Sequence, residues 1–98
     1  MVSWTDSAKR DLRQIYDYIA INSPYYAQKE TVSIVTKADM IGTFPQMGRM
    51  VPELMDTSIR EIILNPYRVI YRISTDDSVE ILSIIHVKRN FDDAFSIT

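Results

Sequence analysis

The sequence has no cysteine and only one histidine, His86, among its 98 residues. Without cysteine there are no disulfide bonds and no thiolate metal ligands, and one histidine cannot form a zinc site unaided. We therefore expect no metal and no cofactor. The lack of cysteine also fits a reducing compartment, so we expect a cytoplasmic protein.

Long apolar runs are missing as well. No segment reaches the ~20 consecutive apolar residues that a membrane-spanning helix needs, and the first residues lack the basic and then apolar stretches of a signal peptide. We expect no membrane association. The chain has only two glycines and four prolines, and neither linkers nor repeats are evident. With 46% hydrophobic and 24% charged residues, the composition predicts one globular domain over residues 1–98.

A strong excess of charge is also absent. The formal net charge is −2 and the isoelectric point is about 5.2, whereas a domain that binds nucleic acid commonly has an isoelectric point above ~9. Any contact with a polyanion is therefore expected to be local.

Two amphipathic helices are predicted after a short strand at residues 2–4. A side-chain oxygen within residues 5–7 caps the first helix, while Ser23 and Pro24 begin the second, which extends to about Gly42. Apolar residues recur every three or four positions on one face of each helix: Ala8, Leu12, Ile15 and Ile19 in the first, and Ala27, Ile34, Ala38 and Ile41 in the second. The pair should form an antiparallel hairpin with a single buried face.

Three strands are predicted at residues 59–64, 67–74 and 79–87, joined by short segments rich in turn formers. The connection before them, residues 43–54, contains prolines and a glycine that break any regular pattern. The predicted fold class is therefore α+β. A short N-terminal strand and an antiparallel helical hairpin precede a three-strand antiparallel meander, and the strands form one twisted sheet.

The strand at residues 67–73 divides its side chains into two kinds. One face carries tyrosine, valine and isoleucine and is expected to be core, while the other carries Arg68, Ile70 and Arg72. A guanidinium group stays charged when buried, so each arginine must be paired, exposed or directed at an anion. Because both faces of the last strand are apolar and the helices can cover only one, we expect this chain to leave the second face uncovered.

The membership of that second face depends on the strand register. If the loop consists of residues 76–78, Arg68 lies opposite His86, and the face is formed by Arg68, Ile70, Arg72, Leu82, Ile84 and His86. A two- or four-residue loop places Tyr67 beside His86 instead, and the sequence leaves both registers open. In the first register the face is half apolar and half cationic, as expected of a surface that binds a partner.

Groups of residues in a fixed order extend over nearly the whole chain. They are Trp4-Thr5 with Ala8, Asp11-Leu12, Tyr18-Ile19, Ser23-Pro24, Phe44-Pro45, Gly48-Arg49, Val51-Pro52-Glu53, Arg60-Glu61, residues 67–72, and His86 with Arg89. Each group alone is a weak signal, but their order and spacing together are specific. On these residues the sequence resembles the RelE/ParE superfamily of bacterial toxins, and residues 86–89, after the strand at 67–72, look more like its ParE branch.

The resemblance implies the toxin of a type II toxin–antitoxin pair. Its implied partner is a cognate antitoxin protein whose partly disordered segment wraps the toxin. Two targets are implied as alternatives, because the ParE branch inhibits DNA gyrase by binding it and the RelE branch cleaves mRNA on the ribosome. Neither the antitoxin family nor the oligomeric state can be deduced from the resemblance.

The RelE branch makes a distinct chemical demand. Metal-free cleavage of RNA needs a base for the 2′-hydroxyl, a cation for the anionic transition state and an acid for the leaving oxygen. By resemblance, Glu53 matches the position of a general base and Arg68 that of an arginine that contacts phosphate, while His86 or Lys88 supplies the acid. The sequence departs from many such nucleases at residues 90–93, where they carry a catalytic tyrosine.

The low isoelectric point and the missing tyrosine favour the gyrase inhibitor, since ribosome binding relies on phosphate neutralisation. The alternative is a ribosome-dependent mRNA endoribonuclease that uses Glu53, Arg68 and His86, and an interacting protein without toxicity is a third interpretation. Whether the protein is an enzyme depends on this choice.

The residues predicted to bind the target or the antitoxin come from the strands and the segment after them. They are Arg60, Arg68, Ile70, Arg72, Leu82, Ile84, His86, Lys88 and Arg89. Several of these residues also have a purely structural interpretation. Glu53 pairs with Arg49 or Arg60 in that interpretation, Arg72 pairs with Glu80, and the histidine shapes the end of the face.

Overall fold

The structure is a computed structural model and describes residues 2–95. Its elements, in chain order, are β1 (Val2–Trp4), α1 (Asp6–Ala20), α2 (Pro24–Thr43), a 3₁₀ turn (Pro45–Met47), β2 (Arg49–Met50), β3 (Ile59–Leu64), β4 (Tyr67–Ile73), β5 (Val79–His86) and α3 (Phe91–Ala94). No helix within residues 2–95 is both long and apolar enough to cross a membrane.

The strands form one five-stranded sheet in the order β1-β5-β4-β3-β2. β1 runs parallel to β5, and the remaining neighbours are antiparallel. The predicted α+β fold, with a helical hairpin between the first strand and the meander, is confirmed. Two short elements were not predicted, β2 and α3, and the parallel pairing of β1 makes the sheet mixed.

Both long helices begin with the caps that the sequence indicates. The side chain of Thr5 accepts a hydrogen bond from the backbone N–H of Ala8, and that of Ser23 accepts one from the N–H of Tyr26. Each cap satisfies a backbone donor that has no partner inside the helix. Pro24 occupies the first turn of α2, where its missing N–H costs nothing.

The helical hairpin covers one face of the sheet and encloses the first core. Its buried members are Ala8, Ile34, Ala38, Ile41, Tyr67, Val69, Tyr71, Val79, Ile81 and Ile84. Leu12 and Ile15 pack against them. The apolar stripes predicted for the helices and the core face predicted for β4 are therefore confirmed.

The second face of the sheet is not uncovered, and the expectation that it would be was wrong. Val51 and Leu54, between β2 and β3, pack there together with Phe91, Ala94 and Phe95 of the C-terminal segment. They enclose a second core with the strand residues Ile59, Ile70, Leu82 and Ile85. A four-residue helix and an irregular loop thus cover a face that the long helices cannot reach.

The pairing of β4 with β5 differs from the register that places Arg68 opposite His86. Tyr67 lies opposite His86 and Arg68 opposite Ile85, with a register shift between Ile70 and Tyr71. Leu82 is the extra residue, because Ile70 faces Ser83 while Tyr71 faces Ile81. A bulge of this kind changes which side of the sheet each later residue faces.

Helix α1 hydrogen-bonds to this bulge, beyond the short β1. The hydroxyl of Thr5 donates to the carbonyl of Leu82 over 3.0 Å. The carboxylate of Asp11 accepts from the N–H of Ile84 over 2.9 Å and from the hydroxyl of Ser83 over 3.0 Å. Two side chains therefore satisfy backbone groups at the edge of β5 that a longer β1 would otherwise pair.

Tyr71 anchors the connection between α2 and β2. Its hydroxyl donates to the carbonyl of Pro45 over 2.7 Å and accepts from the N–H of Gly48 over 2.9 Å. A Cβ at position 48 would lie 2.6 Å from the carbonyl oxygen of Glu61, so only glycine allows this close approach. The tyrosine ring lies in the core and its hydroxyl fixes the loop.

We expect Tyr71→Phe to reduce the free energy of unfolding by about 1–3 kcal/mol, because the N–H of Gly48 loses its partner in a buried setting. Urea unfolding measures this change. Tyr25→Phe is the matched control, since its side chain is exposed and the change should stay within about 0.5 kcal/mol. Equal effects of the two substitutions would contradict the anchoring role of the Tyr71 hydroxyl.

Candidate functional site

A chain of four charged side chains lies on the second face of the sheet. This Arg68 cluster consists of Arg49, Glu53, Glu61 and Arg68. Glu61 is fully buried, and its two oxygens accept from Arg68 Nε over 2.6 Å and from Arg49 Nε over 2.8 Å. Arg68 Nη1 and Nη2 donate to the two oxygens of Glu53 over 2.9 and 2.7 Å.

An aromatic side chain completes the surroundings of Arg68. The guanidinium carbon lies 5.0 Å from the centroid of the Phe91 ring, and Phe95 stacks on Phe91 at 4.9 Å. A cation at this distance from an aromatic face is attracted by the ring. The C-terminal helix is therefore held over the arginine as well as over the second core.

The ion pair between Glu53 and Arg68 favours the charged form of both side chains. The hydrogen bonds from Arg68 lower the pKa of Glu53. This effect outweighs that of burial, which by itself would raise the pKa. The hydrogen bonds to Glu53 raise the pKa of Arg68. With all three guanidinium nitrogens bonded to carboxylates, the charge of this arginine is compensated within the chain.

A groove lies on the other face, between α1 and the ends of β4 and β5. His86 packs edge-on against Tyr67, with ring centroids 5.7 Å apart. The groove has a volume of about 410 Å³. Its lining residues are Asp11, Gln14, Ile15, Tyr18, Tyr67, Ile84, His86 and Arg89.

The three residues of the nuclease hypothesis are divided between these two places. Glu53 and Arg68 are in direct contact, but His86 contacts Tyr67, which precedes Arg68 in the strand and therefore points to the opposite face. The sheet separates the histidine from the other two side chains.

The residues predicted to form one exposed binding face also lie in different places. Ile70 and Leu82 are fully buried in the second core, and Ile84 faces the helical hairpin. Their expected exposure was wrong, since the loop before β3 and the C-terminal segment cover the first two and the bulge reorients the third. Lys88 and Arg89 are exposed.

The other two strand arginines predicted to bind a partner, Arg72 and Arg60, make contacts within the chain. Arg72 pairs with Glu80 on the neighbouring strand over 2.8 Å, as the structural interpretation expects. Arg60 donates to the carbonyl of Gly48 over 2.9 Å. Its Nε is the buried side-chain nitrogen without a hydrogen-bond partner among residues 2–95.

Glu61 is the residue of this site that sequence analysis missed. It shares a face of β3 with Ile59, which lies in the second core, so a charged residue occupies a position where the pattern calls for an apolar one. Its partner on the neighbouring strand β4 is Ile70. Arg68 lies two residues before Ile70 and therefore on the same face. A charged residue at an apolar position, near an arginine of the same face, is the signal that could have revealed a buried ion pair.

Residues 2–95 contain no group of three or more His, Cys, Asp or Glu side chains arranged to hold a metal ion.

The fold is shared with chains of two solved toxin–antitoxin systems. It matches a chain of the chromosomal ParDE toxin–antitoxin system from P. aeruginosa with a TM-score of 0.71 and 26% identity, covering 87% of this chain and 92% of that one. It also matches a chain of the toxin–antitoxin complex RelBE2 from Mycobacterium tuberculosis with a TM-score of 0.66 and 22% identity, covering 88% and 95%. The second likeness concerns the fold alone.

The sequence leads to the same group. The chain is 36% identical over 88 residues to the toxin RelE2 of Caulobacter vibrioides, which covers 90% of this chain and 96% of that protein. The family described as ParE toxin of type II toxin–antitoxin system, parDE, matches residues 2–91. The chain belongs to this family of toxins.

Acid should weaken the fold through Glu53. In the folded protein the pKa of Glu53 is lowered from its ordinary value of 4.5. The ionised carboxylate therefore stabilises the fold at pH values above 4.5. This stabilisation is lost as the pH falls through the lowered pKa. We expect Glu53→Gln to be less stable than wild type near neutral pH and equally stable in strong acid. Urea unfolding from about pH 7 to about pH 2 measures this difference. Parallel pH profiles of the two proteins would contradict it.

The buried carboxylate of Glu61 should matter more than an exposed one. We expect Glu61→Gln to lower the free energy of unfolding by about 3–5 kcal/mol, since it breaks a buried ion pair. Glu80→Gln breaks the half-exposed pair with Arg72 and should cost at most about 1 kcal/mol. Urea unfolding of both variants at neutral pH tests the comparison, and a cost for Glu80→Gln as large as for Glu61→Gln would refute it.

Proposed function

We propose that this toxin acts in the cytoplasm as an inhibitor of DNA gyrase, by binding the enzyme rather than by catalysis, and that a cognate antitoxin neutralises it. Membership of the ParE toxin family supports the proposal. Two solved structures with the same fold come from the ParDE and RelBE2 toxin–antitoxin systems, which supports an antitoxin as partner.

The state of Arg68 carries the argument against catalysis. A ribonuclease needs a guanidinium group that reaches the phosphate and stabilises its developing charge. Here the three nitrogens of Arg68 donate to Glu53 and Glu61 at 2.6 to 2.9 Å. An RNA phosphate would have to displace a carboxylate from a bidentate pair and then lie beside a second, buried carboxylate.

The isolation of His86 supports the same conclusion. It lies in the groove on the other face of the sheet, and its Nδ1 accepts a hydrogen bond from the N–H of Lys88 over 3.1 Å. The Arg89 N–H donates to its carbonyl over 2.9 Å. The histidine therefore shapes the turn that presents Lys88 and Arg89 to solvent.

This turn and the adjacent groove have the features of a surface that binds a protein. Two exposed cations lie beside a partly apolar groove whose wall includes the exposed Tyr18. Tyrosine and arginine are enriched where proteins bind one another. We propose that the groove and the exposed turn, residues 86–89, contact gyrase.

One observation favours the alternative, a ribosome-dependent mRNA endoribonuclease. Glu53 and Arg68, which match a base and a phosphate-binding residue by resemblance, are in direct contact. Adjacent acid–base and cationic groups are what such a reaction requires. Under this alternative Glu53 must leave Arg68 when RNA binds, and His86 must act from another position.

Supercoiling by purified gyrase tests the proposal. We expect the toxin to inhibit supercoiling, and the double variant K88A/R89A to need at least about tenfold more protein for the same inhibition, because it removes two exposed cations of the contact surface. K9A/R10A is the matched control, since it removes two exposed positive charges from α1 and should inhibit like wild type.

A translation assay with the same preparation separates the two functions. The toxin should leave ribosome-bound mRNA uncut. Cleavage of that message, abolished by Arg68→Ala in a folded variant, together with unaffected gyrase, would overturn the proposal in favour of the endoribonuclease.

A further inference from the structure

Glu53 and Arg68 differ from an ordinary surface ion pair. The side chain of Arg68 is 11% exposed, while that of Glu53 is 37% exposed. The carboxylate thus approaches the guanidinium from the solvent side, and the other side of the guanidinium is closed by Glu61 and by the ring of Phe91. The partly exposed carboxylate of Glu53 therefore occupies a site whose shape is set by the planar guanidinium group of Arg68.

The pair formed by Arg72 and Glu80 shows the contrast within the same sheet. Both side chains are 37% exposed, and a single hydrogen bond of 2.8 Å joins them. Such a pair adds little stability and leaves no shaped site when it opens. Arg68 instead retains its bond to the buried Glu61 when Glu53 departs, so its orientation is fixed independently of Glu53.

The departure of Glu53 changes the net charge of the Arg68 cluster. Two cations, Arg49 and Arg68, balance two carboxylates, Glu53 and Glu61. Without the carboxylate of Glu53 the cluster keeps one uncompensated positive charge. That charge lies on a fork of two N–H groups, which suits the two oxygens of a carboxylate.

We propose that Arg68 forms a carboxylate-binding site that Glu53 occupies from within the chain, and that an acidic side chain of a protein partner takes the place of Glu53. A planar carboxylate already fits the fork with two hydrogen bonds. A nucleic acid is disfavoured, because the protein carries a net charge of −2 and so lacks the surplus of positive charge that binding a polyanion requires.

The site is separate from the proposed contact with gyrase. It lies on the face covered by α3, whereas the groove, which His86 and Arg89 line, lies beside α1 on the other face. The supercoiling assay and the test of this site can therefore succeed or fail independently.

Chemical replacement of the missing carboxylate tests the inference. In the full-length Glu53→Ala protein, formate and acetate should raise the melting temperature above that in sodium chloride of equal ionic strength. A ligand at a concentration equal to its dissociation constant should raise it by about 2 °C. N-acetylglutamate amide, which carries the acidic side chain of a partner, should act similarly.

Three controls accompany the experiment. Wild type should show no response, because Glu53 fills the site. Glu80→Ala removes the same charge beside Arg72 and should also show none. Glu53→Asp, a milder change that keeps a carboxylate on a shorter side chain, should respond less than Glu53→Ala and serves as the second variant if the alanine protein does not fold.

The inference is overturned if carboxylates stabilise neither position 53 variant, or if Glu80→Ala responds equally. A response to formate without one to N-acetylglutamate amide would refute the acidic side chain as the occupant. Inorganic phosphate stabilising more than formate would assign the site to a phosphate-bearing ligand instead and refute the carboxylate.

Discussion

The buried carboxylate of Glu61 is the constraint on which the second face of this protein depends. A carboxylate with no exposed surface is stable only if its oxygens are paired, and here they accept from Arg68 and Arg49. The first pairing fixes the direction of a long arginine side chain within the sheet. Glu53 and the ring of Phe91 both contact that arginine, and Phe91 is also a buried member of the second core. The loop before β3 and the helix α3 thus have an electrostatic anchor as well as an apolar one.

Each face of the sheet packs against a core, and a bulge in the middle of β5 changes the face to which its side chains point. The bulge at Leu82 lets Ile81 and Ile84 both face the helical hairpin, while Leu82 and Ile85 face the second core. Next to the bulge, Thr5 at the cap of α1 and Asp11 within α1 bond the edge of β5 that a longer β1 would otherwise pair. The apolar character of both faces of β5, evident from the sequence, is therefore used fully within the chain.

Sequence analysis predicted the elements whose signals are local. The caps at Thr5 and Ser23, the apolar stripes of the helices and the positions of β3, β4 and β5 all arise from spacing and turn residues. The bulge and the ion cluster depend on contacts between segments distant in the chain, and a one-residue change in register alters every such contact. The helix α3 has only four residues, too few for a periodic pattern, and it is held by packing against Phe95 and Arg68 rather than by its own propensity.

The ion cluster also bears on the proposal that this toxin binds a protein and does not cleave RNA. A strand arginine is useful for catalysis only if its charge is available when the substrate arrives. In this chain two carboxylates compensate it in the free protein, so binding of a phosphate would have to offset the loss of a bidentate ion pair. A protein partner faces no such cost at the turn of residues 86–89, where the cations are exposed. This distribution of compensated and exposed arginines is the ground on which we propose recognition of a protein surface rather than chemistry on RNA.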